Sequence, residues 1–378
     1  MTNFDIPVAR RGTGSLKWDR RADLDPYWVA DMDFTSAPEI IDAIRTRVDH
    51  GVFGYAVPHE SLTEALQEYL QRRMGVTTPA SQIVHLGGLV PALSLAARAF
   101  GKPGESLMTT TPVYPPFLGI HDDASMELLT TDHIDVDGRG TMNWEAMEAQ
   151  VTPKTKLFVL SNPQNPLGRV YTKEEMIQLG SFCEKHDLIL LSDEIHCDLI
   201  LNEARTPHFS ALNLPEPLRN RSITLLSPSK TYNIAGLGYA FAVIPNDSIR
   251  RRFEGARGHT LAEINCLAYY AAEAAYRHGE AWRQDLLAYL RTNKKLLTKT
   301  LRENVPGLKV PDIEATYLAW IDCRDLDVAQ PIQKAEAAGL FLSDGAFFGH
   351  GRCIRMNFGT QTARLEKALN TLVGALKS

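Results

Sequence analysis

The feature that most limits the fold is a unit repeated between Ile83 and Ile244. A short, almost wholly apolar run is followed by a polar or glycine-bearing break and then by a segment of helical period. The runs are Ile83–Leu86, Ser106–Thr111, Lys156–Ser161, Leu188–Ser192, the stretch from Ser222 to Leu226, and Tyr239–Ile244. Strands without polar alternation are buried on both faces, so this rhythm predicts a mainly parallel sheet covered by helices on either side. One connecting helix spans Pro91–Phe100. Another runs from Thr172 to about His186, with Glu175 three residues after Thr172 as a capping box. In such sheets the chemistry lies beyond the carboxyl ends of the strands. Gly87-Gly88, Tyr114, Asn165, Asp193, His196 and Lys230 all fall there.

The flanks have another character. Residues 1–30 are polar and irregular up to Trp28-Val-Ala-Asp-Met-Asp-Phe34, an extended apolar segment closed by acids. A helix from Pro38 presents Ile40, Ile41, Ile44 and Val48 on one face. After the glycine-bracketed loop Gly51–Tyr55, a second amphipathic helix starts at Ser61, with Glu64 as its capping partner. Beyond about Leu261 helices dominate, over Ile264–Tyr276 and from Glu280 to about Glu303, until Pro306-Gly307. A strand (Thr316–Asp322), a helix (Val328–Ala338), the segment Leu340–Ser343, a strand (Cys353–Phe358) and a helix (Thr362–Leu376) follow. The expected division is a large domain over 50–280 and a smaller, discontinuous α+β domain from 1–49 and 281–378.

Composition excludes several classes. The 378 residues carry a formal net charge of −5, and the basic clusters are short, so no nucleic-acid partner is expected. No apolar run approaches the roughly 18 residues of a membrane span, and residues 1–25 are too polar for a signal peptide. The five cysteines are odd in number and never spaced Cys-x-x-Cys, which suits reduced thiols in the cytoplasm.

Lys230 follows the strand from Ser222 and the turn Ser227-Pro228-Ser229. A lysine there can form an imine if its pocket is dry enough to keep the amine neutral. Each neighbouring motif alone has a plainer reading: Asp193-Glu194 as a helix start, Asn165–Gly168 as a turn, His196 as a core histidine. Together, in order and each at a strand end, they suit pyridoxal 5'-phosphate. That group needs a lysine, an acid on the pyridine nitrogen, a donor to the phenolic oxygen, a stacking ring and a phosphate cradle. Asp193, His196 and Asp198 are not read as metal ligands, because a strand end turning into a loop scatters them.

The chain resembles the fold type I, pyridoxal-phosphate-dependent aminotransferase class I/II superfamily over almost its whole length. Within it, the chain resembles the MalY/PatB group of cystathionine β-lyases and cysteine C–S lyases. The likeness is carried by Trp28–Phe34, Gly51–Tyr55, Ser161–Arg169, Ser192–His196, Ser227–Asn233 and Cys353–Asn357. It implies a large domain with a mainly parallel seven-stranded sheet and a smaller α+β domain. It also implies that Lys230 carries the cofactor and moves the Cα proton, with Tyr114 stacked on the ring as the second catalytic residue. Asp193 would pair with the pyridine nitrogen, and Asn165 with His196 would meet the phenolic oxygen. The phosphate would fall to Gly88 and Leu89, through backbone amides, with Ser227 and Ser229. Tyr55 would reach the phosphate of a neighbouring subunit, making the unit a homodimer with active sites at the interface. Arg355 would bind the carboxylate of an amino-acid substrate.

The implied reaction is β-elimination from cystathionine or another cysteine S-conjugate. An aminotransferase, a cysteine-sulfoxide lyase and a regulatory protein without turnover are the rival readings. Trp28, Phe34, Tyr232 and Phe347 are candidates for the leaving-group side. Three positions depart from the commoner pattern. Gly238 stands where many aminotransferases, though not this lyase group, carry an arginine, and Leu167 and Leu89 lack a hydroxyl.

Overall fold

The computed structural model describes residues 2–258 and 261–377. Its centre is a seven-stranded sheet of β1 (Ile83–Leu86), β2 (Ser106–Thr111), β3 (Glu127–Asp132), β4 (Thr155–Ser161), β5 (Ile189–Asp193), β6 (Ser222–Leu226) and β7 (Ala240–Val243). The order across the sheet is β1-β7-β6-β5-β4-β2-β3. Only β7 runs against the others, antiparallel to both β1 and β6.

Burial on both faces explains the unbroken apolar runs. Along β4, Leu157 and Val159 enter the layer beneath the helix Leu89–Phe100, while Phe158 and Leu160 enter the layer beneath the helix Lys173–Lys185. The second helix has the expected capping box, Thr172 and Glu175 each bonding the other's backbone N–H. Phe158 is fully buried, so its truncation to alanine costs about 3–5 kcal/mol.

The sequence carries no comparable signal for β3. It is an edge strand paired only with β2, exposed at Glu127 and Asp132, and lacks the continuous apolar run of its neighbours. The Ser61–Glu64 cap is a second difference. The helix begins at Glu60 after an N-cap His59 that makes no side-chain cap bond. Tertiary partners claim this end instead: His59 meets Glu273 at 2.6 Å, and Arg277 donates to the Ser61 carbonyl at 2.7 Å. The helix expected over Val328–Ala338 is confined to Pro331–Ala337, because proline fits a first helical position and has no N–H to give an earlier turn.

The later part of the chain forms an antiparallel sheet of Leu318–Asp322, Cys353–Asn357 and Ser343–Asp344. The helices Glu280–Asn304 and Thr362–Lys377 pack together, and their leucines share one core with this sheet. The amino-terminal residues Asp25 and Pro26 pair in parallel with Leu340 and Phe341. The helix Pro38–Asp49 instead packs on the helix Cys266–His278. Among the described residues no helix is long and apolar enough to cross a membrane.

Candidate active site

The chain leaves β6 at Leu226 and turns through Ser227-Pro228-Ser229 into Lys230. Ser229 N donates to Ser227 Oγ at 3.1 Å, and Ser227 Oγ donates to the Tyr239 carbonyl at 2.6 Å. These bonds tie the turn to the residue that leads into β7. Lys230 then faces a pocket of about 230 Å³, and its Nζ donates to the Ala30 carbonyl at 2.9 Å. Burial lowers its pKa to about 8, helped by the charge of Arg355 and opposed by Asp31 and Asp193. The amine is thus neutral far more often than a surface lysine.

The acids at the end of β5 point apart, as successive strand residues must. Asp193 lines the pocket, accepts from Ile195 N at 3.0 Å, and is raised by burial to about 7. Glu194 is turned away and holds the Ser210–Asn213 turn through Ala211 N at 2.8 Å, with His208 at 2.8 Å. His196 lines the same pocket. Burial, then the charges of Lys230 and Arg355, lower its pKa to about 3, so the ring is neutral. Its Nδ1 is buried with no hydrogen-bond partner, an atom that a ligand would satisfy.

Asn165 and Tyr114 form further walls. Asn165 Oδ1 accepts from Arg355 Nη1 at 3.1 Å, and Arg355 Nη2 donates to the Trp28 carbonyl at 2.7 Å. Arg355 is buried, its pKa lowered by burial to about 10, and no carboxylate pairs with it among the described residues. Its Nε is also without a partner. A buried, unneutralised guanidinium is costly unless an anion arrives. Burial raises the Tyr114 hydroxyl, so it stays protonated.

Gly87, Gly88 and Leu89 close the pocket at the start of the helix Leu89–Phe100, whose first N–H groups have no partners within the helix. Ser227 and Ser229 line the same pocket. Tyr55 is not among the lining residues: it is fully exposed, in a loop with exposed Val52, Phe53 and Val57.

The profile of the family described as aminotransferase class I and II matches residues 29–372. The chain belongs to that family. It is 34% identical to cystathionine β-lyase PatB of Bacillus subtilis, over 99% of this chain and 100% of that one. It is 41% identical to OvoB, whose crystal structure superposes with a TM-score of 0.96 over 100% of each chain. Cystalysin from Treponema denticola, whose crystal structure contains pyridoxal 5'-phosphate, is 31% identical, with a TM-score of 0.94 over 100% of this chain and 99% of that one.

Set among this family, the departures have local causes. Gly238 has φ +63°, and a Cβ there would stand 3.1 Å from the Gly87 carbonyl. An arginine would therefore be strained at the floor of the pocket. Leu167 packs with Trp320, Phe348 and Cys353, and its turn is held without a hydroxyl by Leu167 N donating to Gln164 Oε1 at 2.8 Å. None of the four candidate leaving-group aromatics, Trp28, Phe34, Tyr232 and Phe347, lines the pocket, and two of them belong to the core. Phe34 packs edge-on against Phe4 and Tyr289, and Tyr232 packs on Trp282, both within the core. Two further residues serve the site: Ala30, which acts through its carbonyl, and Ser161, whose Oγ accepts from Asn165 N at 3.3 Å. A backbone acceptor leaves no mark in the choice of side chain. Ser161 was visible within its motif but carried no distinct signal.

Proposed function

We propose that the chain is a pyridoxal-phosphate-dependent carbon–sulfur β-lyase that cleaves cystathionine or another S-substituted cysteine to a thiol, pyruvate and ammonia. The observation that carries this reading is one pocket that Lys230 enters and Asn165 walls, with the buried Arg355 guanidinium on Asn165 paired with no carboxylate among the described residues. The relatives named as cystathionine β-lyases support it at full length.

The residues fit the cofactor. Asp193 is raised to about 7 by burial although the charge of Lys230 opposes it, and it makes no ion pair among the described residues, so a protonated pyridine nitrogen would suit it. His196 Nδ1 is an orphaned polar atom in the same pocket. The Gly88–Leu89 amides and the Ser227 and Ser229 hydroxyls suit a phosphate. When bound, pyridoxal phosphate supplies an electron sink for the charge that develops at the substrate Cα.

The chain's own residues do the rest. Lys230 would hold the cofactor, then take the Cα proton. Asp193 would keep the ring nitrogen protonated. Asn165 and His196 would fix the phenolic oxygen, and Tyr114 would stack on the ring. Arg355 would orient the substrate by its carboxylate, through a bidentate pair. The Cβ–S bond then breaks, the sulfur departing with the bonding pair, and one water completes the conversion to pyruvate and ammonia.

A homodimer belongs to the same proposal. Val52, Phe53, Tyr55 and Val57 put an apolar loop into water, as a surface awaiting a second copy does. Arg47 braces that loop, donating to the Val52 carbonyl at 2.6 Å and lying 6.0 Å from the Phe53 ring centre. Tyr55 would thereby reach the neighbouring phosphate. We also infer a large domain over 50–280 and a smaller one over 1–49 with 281–378, the helix Pro38–Asp49 of the smaller one lying against the helix Cys266–His278 of the larger. Five free, buried cysteines suit a reducing cytoplasm.

The test is direct. Holoenzyme given cystathionine or an S-alkyl cysteine should release pyruvate and thiol in equal amounts without a keto acid. Turnover only when a keto acid is supplied, with no thiol, would make the protein an aminotransferase instead.

A further inference from the structure

We propose that Asp33 is a positioning residue for this reaction: it anchors the strap Trp28–Phe34, whose backbone carbonyls set both Arg355 and Lys230. The inference rests on the roles given above to those two residues.

The strap has no helix or strand to hold it, so its backbone depends on partners from elsewhere in the chain. Two carbonyls face the site. Trp28 O accepts from Arg355 Nη2 at 2.7 Å, and Ala30 O accepts from Lys230 Nζ at 2.9 Å and from the Tyr317 hydroxyl at 3.1 Å. The intervening and following carbonyls, Val29 O and Asp31 O, accept from Asn357 Nδ2 at 2.7 and 2.6 Å. Asn233, three residues beyond Lys230, bonds Met32 N at 2.9 Å and Met32 O at 3.0 Å. One extended segment therefore carries the registration between the lysine and the arginine.

Asp33 holds the end of that segment. It is buried and accepts from Lys17 Nζ (2.9 Å), Trp18 Nε1 (2.9 Å), Arg10 Nη1 (3.0 Å) and Arg364 Nη1 (2.6 Å). Asp31 takes both Arg10 nitrogens, at 3.1 and 2.9 Å, and Asp25 takes Arg364 Nη2 at 2.6 Å. Three cations thus meet three carboxylates. Burial alone would raise the Asp33 carboxyl, but Lys17 and Arg364 hold it down at about 2. A buried ionic cluster is a weak stabiliser, because desolvation offsets most of its Coulomb gain. Its position beside the strap gives it another use. A small shift of the strap moves the lysine amine and the guanidinium together, and misplacement of about 1 Å costs roughly a hundredfold in rate.

The test uses Asp33→Asn, which removes the charge and keeps the shape. In the apoenzyme, the pH dependence of Lys230 acylation, read by mass spectrometry against exposed Lys367, should move toward lower pH, because a displaced Ala30 carbonyl no longer stabilises the ammonium. Asp31, Asp193 and Arg355 supply the charges around that amine. In the holoenzyme kcat/KM should fall roughly ten- to a hundredfold, through both kcat and KM, with partial recovery in Asp33→Glu. A lower melting temperature with an unchanged labelling profile, and kcat/KM within about twofold per folded enzyme, would overturn the proposal. Should Asp33→Asn not fold, Trp18→Phe removes one donor to Asp33 without touching any charge. It should shift the same profile, and no shift overturns the proposal equally. Full lyase activity in Lys230→Ala would instead overturn the reading of the site, whereas apoenzyme labelling is independent of turnover.

Discussion

Replacing Arg355 with lysine isolates the substrate-carboxylate contact. In the structure the guanidinium plane is fixed by Asn165 Oδ1 at 3.1 Å and Trp28 O at 2.7 Å, and its centre lies 4.7 Å from that of the Phe348 ring. Lysine keeps the charge but loses both the fork and the stacking plane. A hydrogen bond to a charged group contributes about 1.5–3 kcal/mol, and the exchange deletes one of a bidentate pair. The expected loss in kcat/KM for an S-alkyl cysteine is therefore roughly 10- to 150-fold. Most of it should appear in KM, because the carboxylate is held alike in ground and transition states. Initial rates of pyruvate release measure the loss at matched cofactor content. An S-alkyl cysteine amide, which has no carboxylate, should distinguish the two proteins by less than about threefold. Equal kcat/KM for the acid substrate in both proteins would refute the assignment, as would an equal loss on acid and amide.

Four other outcomes follow from particular contacts. Gly238→Arg should lower the melting temperature and weaken cofactor binding rather than strengthen it, since the left-handed backbone at φ +63° costs a side chain about 1–3 kcal/mol and its Cβ crowds Gly87 O; scanning calorimetry and a cofactor titration read this. Burial holds His85 and His133 at about 4 and His196 at about 3, below the ordinary histidine value near 6.5. The unfolded chain then binds more protons, so urea melts should show stability falling as pH drops from about 6.5 toward 4. Asp193 acts in the opposite sense. Burial raises it to about 7, so it penalises the folded apoenzyme increasingly from pH ~4 to ~7, and Asp193→Asn should melt higher at pH 8 while losing lyase activity. Phe53→Asp should yield a monomer in sedimentation, with activity reduced at least about tenfold; an active dimer would count against the interface.

The strand rhythm was legible because its cause is local. Strands buried on both faces are built mostly from apolar and β-branched residues, so β1, β2, β4, β5, β6 and β7 announced themselves, while the half-exposed edge strand β3, with Glu127 and Asp132 at its ends, did not. The Thr172–Glu175 cap was legible for the same reason, being complete within four residues. The Ser61–Glu64 cap used the same local grammar and failed, because Glu273 and Arg277, more than two hundred residues away, claimed that helix end.

The candidate site divides along the same line. Lys230, Asp193, Asn165 and His196 could be chosen from the sequence because each ends a strand or its following turn, where side chains converge whatever the loops do. Sequence could not tell that Phe34 and Tyr232 face the core, since an aromatic ring suits a pocket wall and a packed interior equally well. Nor could it reveal that the Trp28 and Ala30 carbonyls orient the arginine and the lysine, because every residue has a carbonyl and composition does not record its direction. The sequence by itself determined the sheet, the order of its strands' motifs and the chemical groups at its rim, all of which follow from local burial and turn chemistry. Only the tertiary structure decided which charges are left unpaired and which backbone atoms hold them, since those depend on residues hundreds of positions apart meeting where water is excluded.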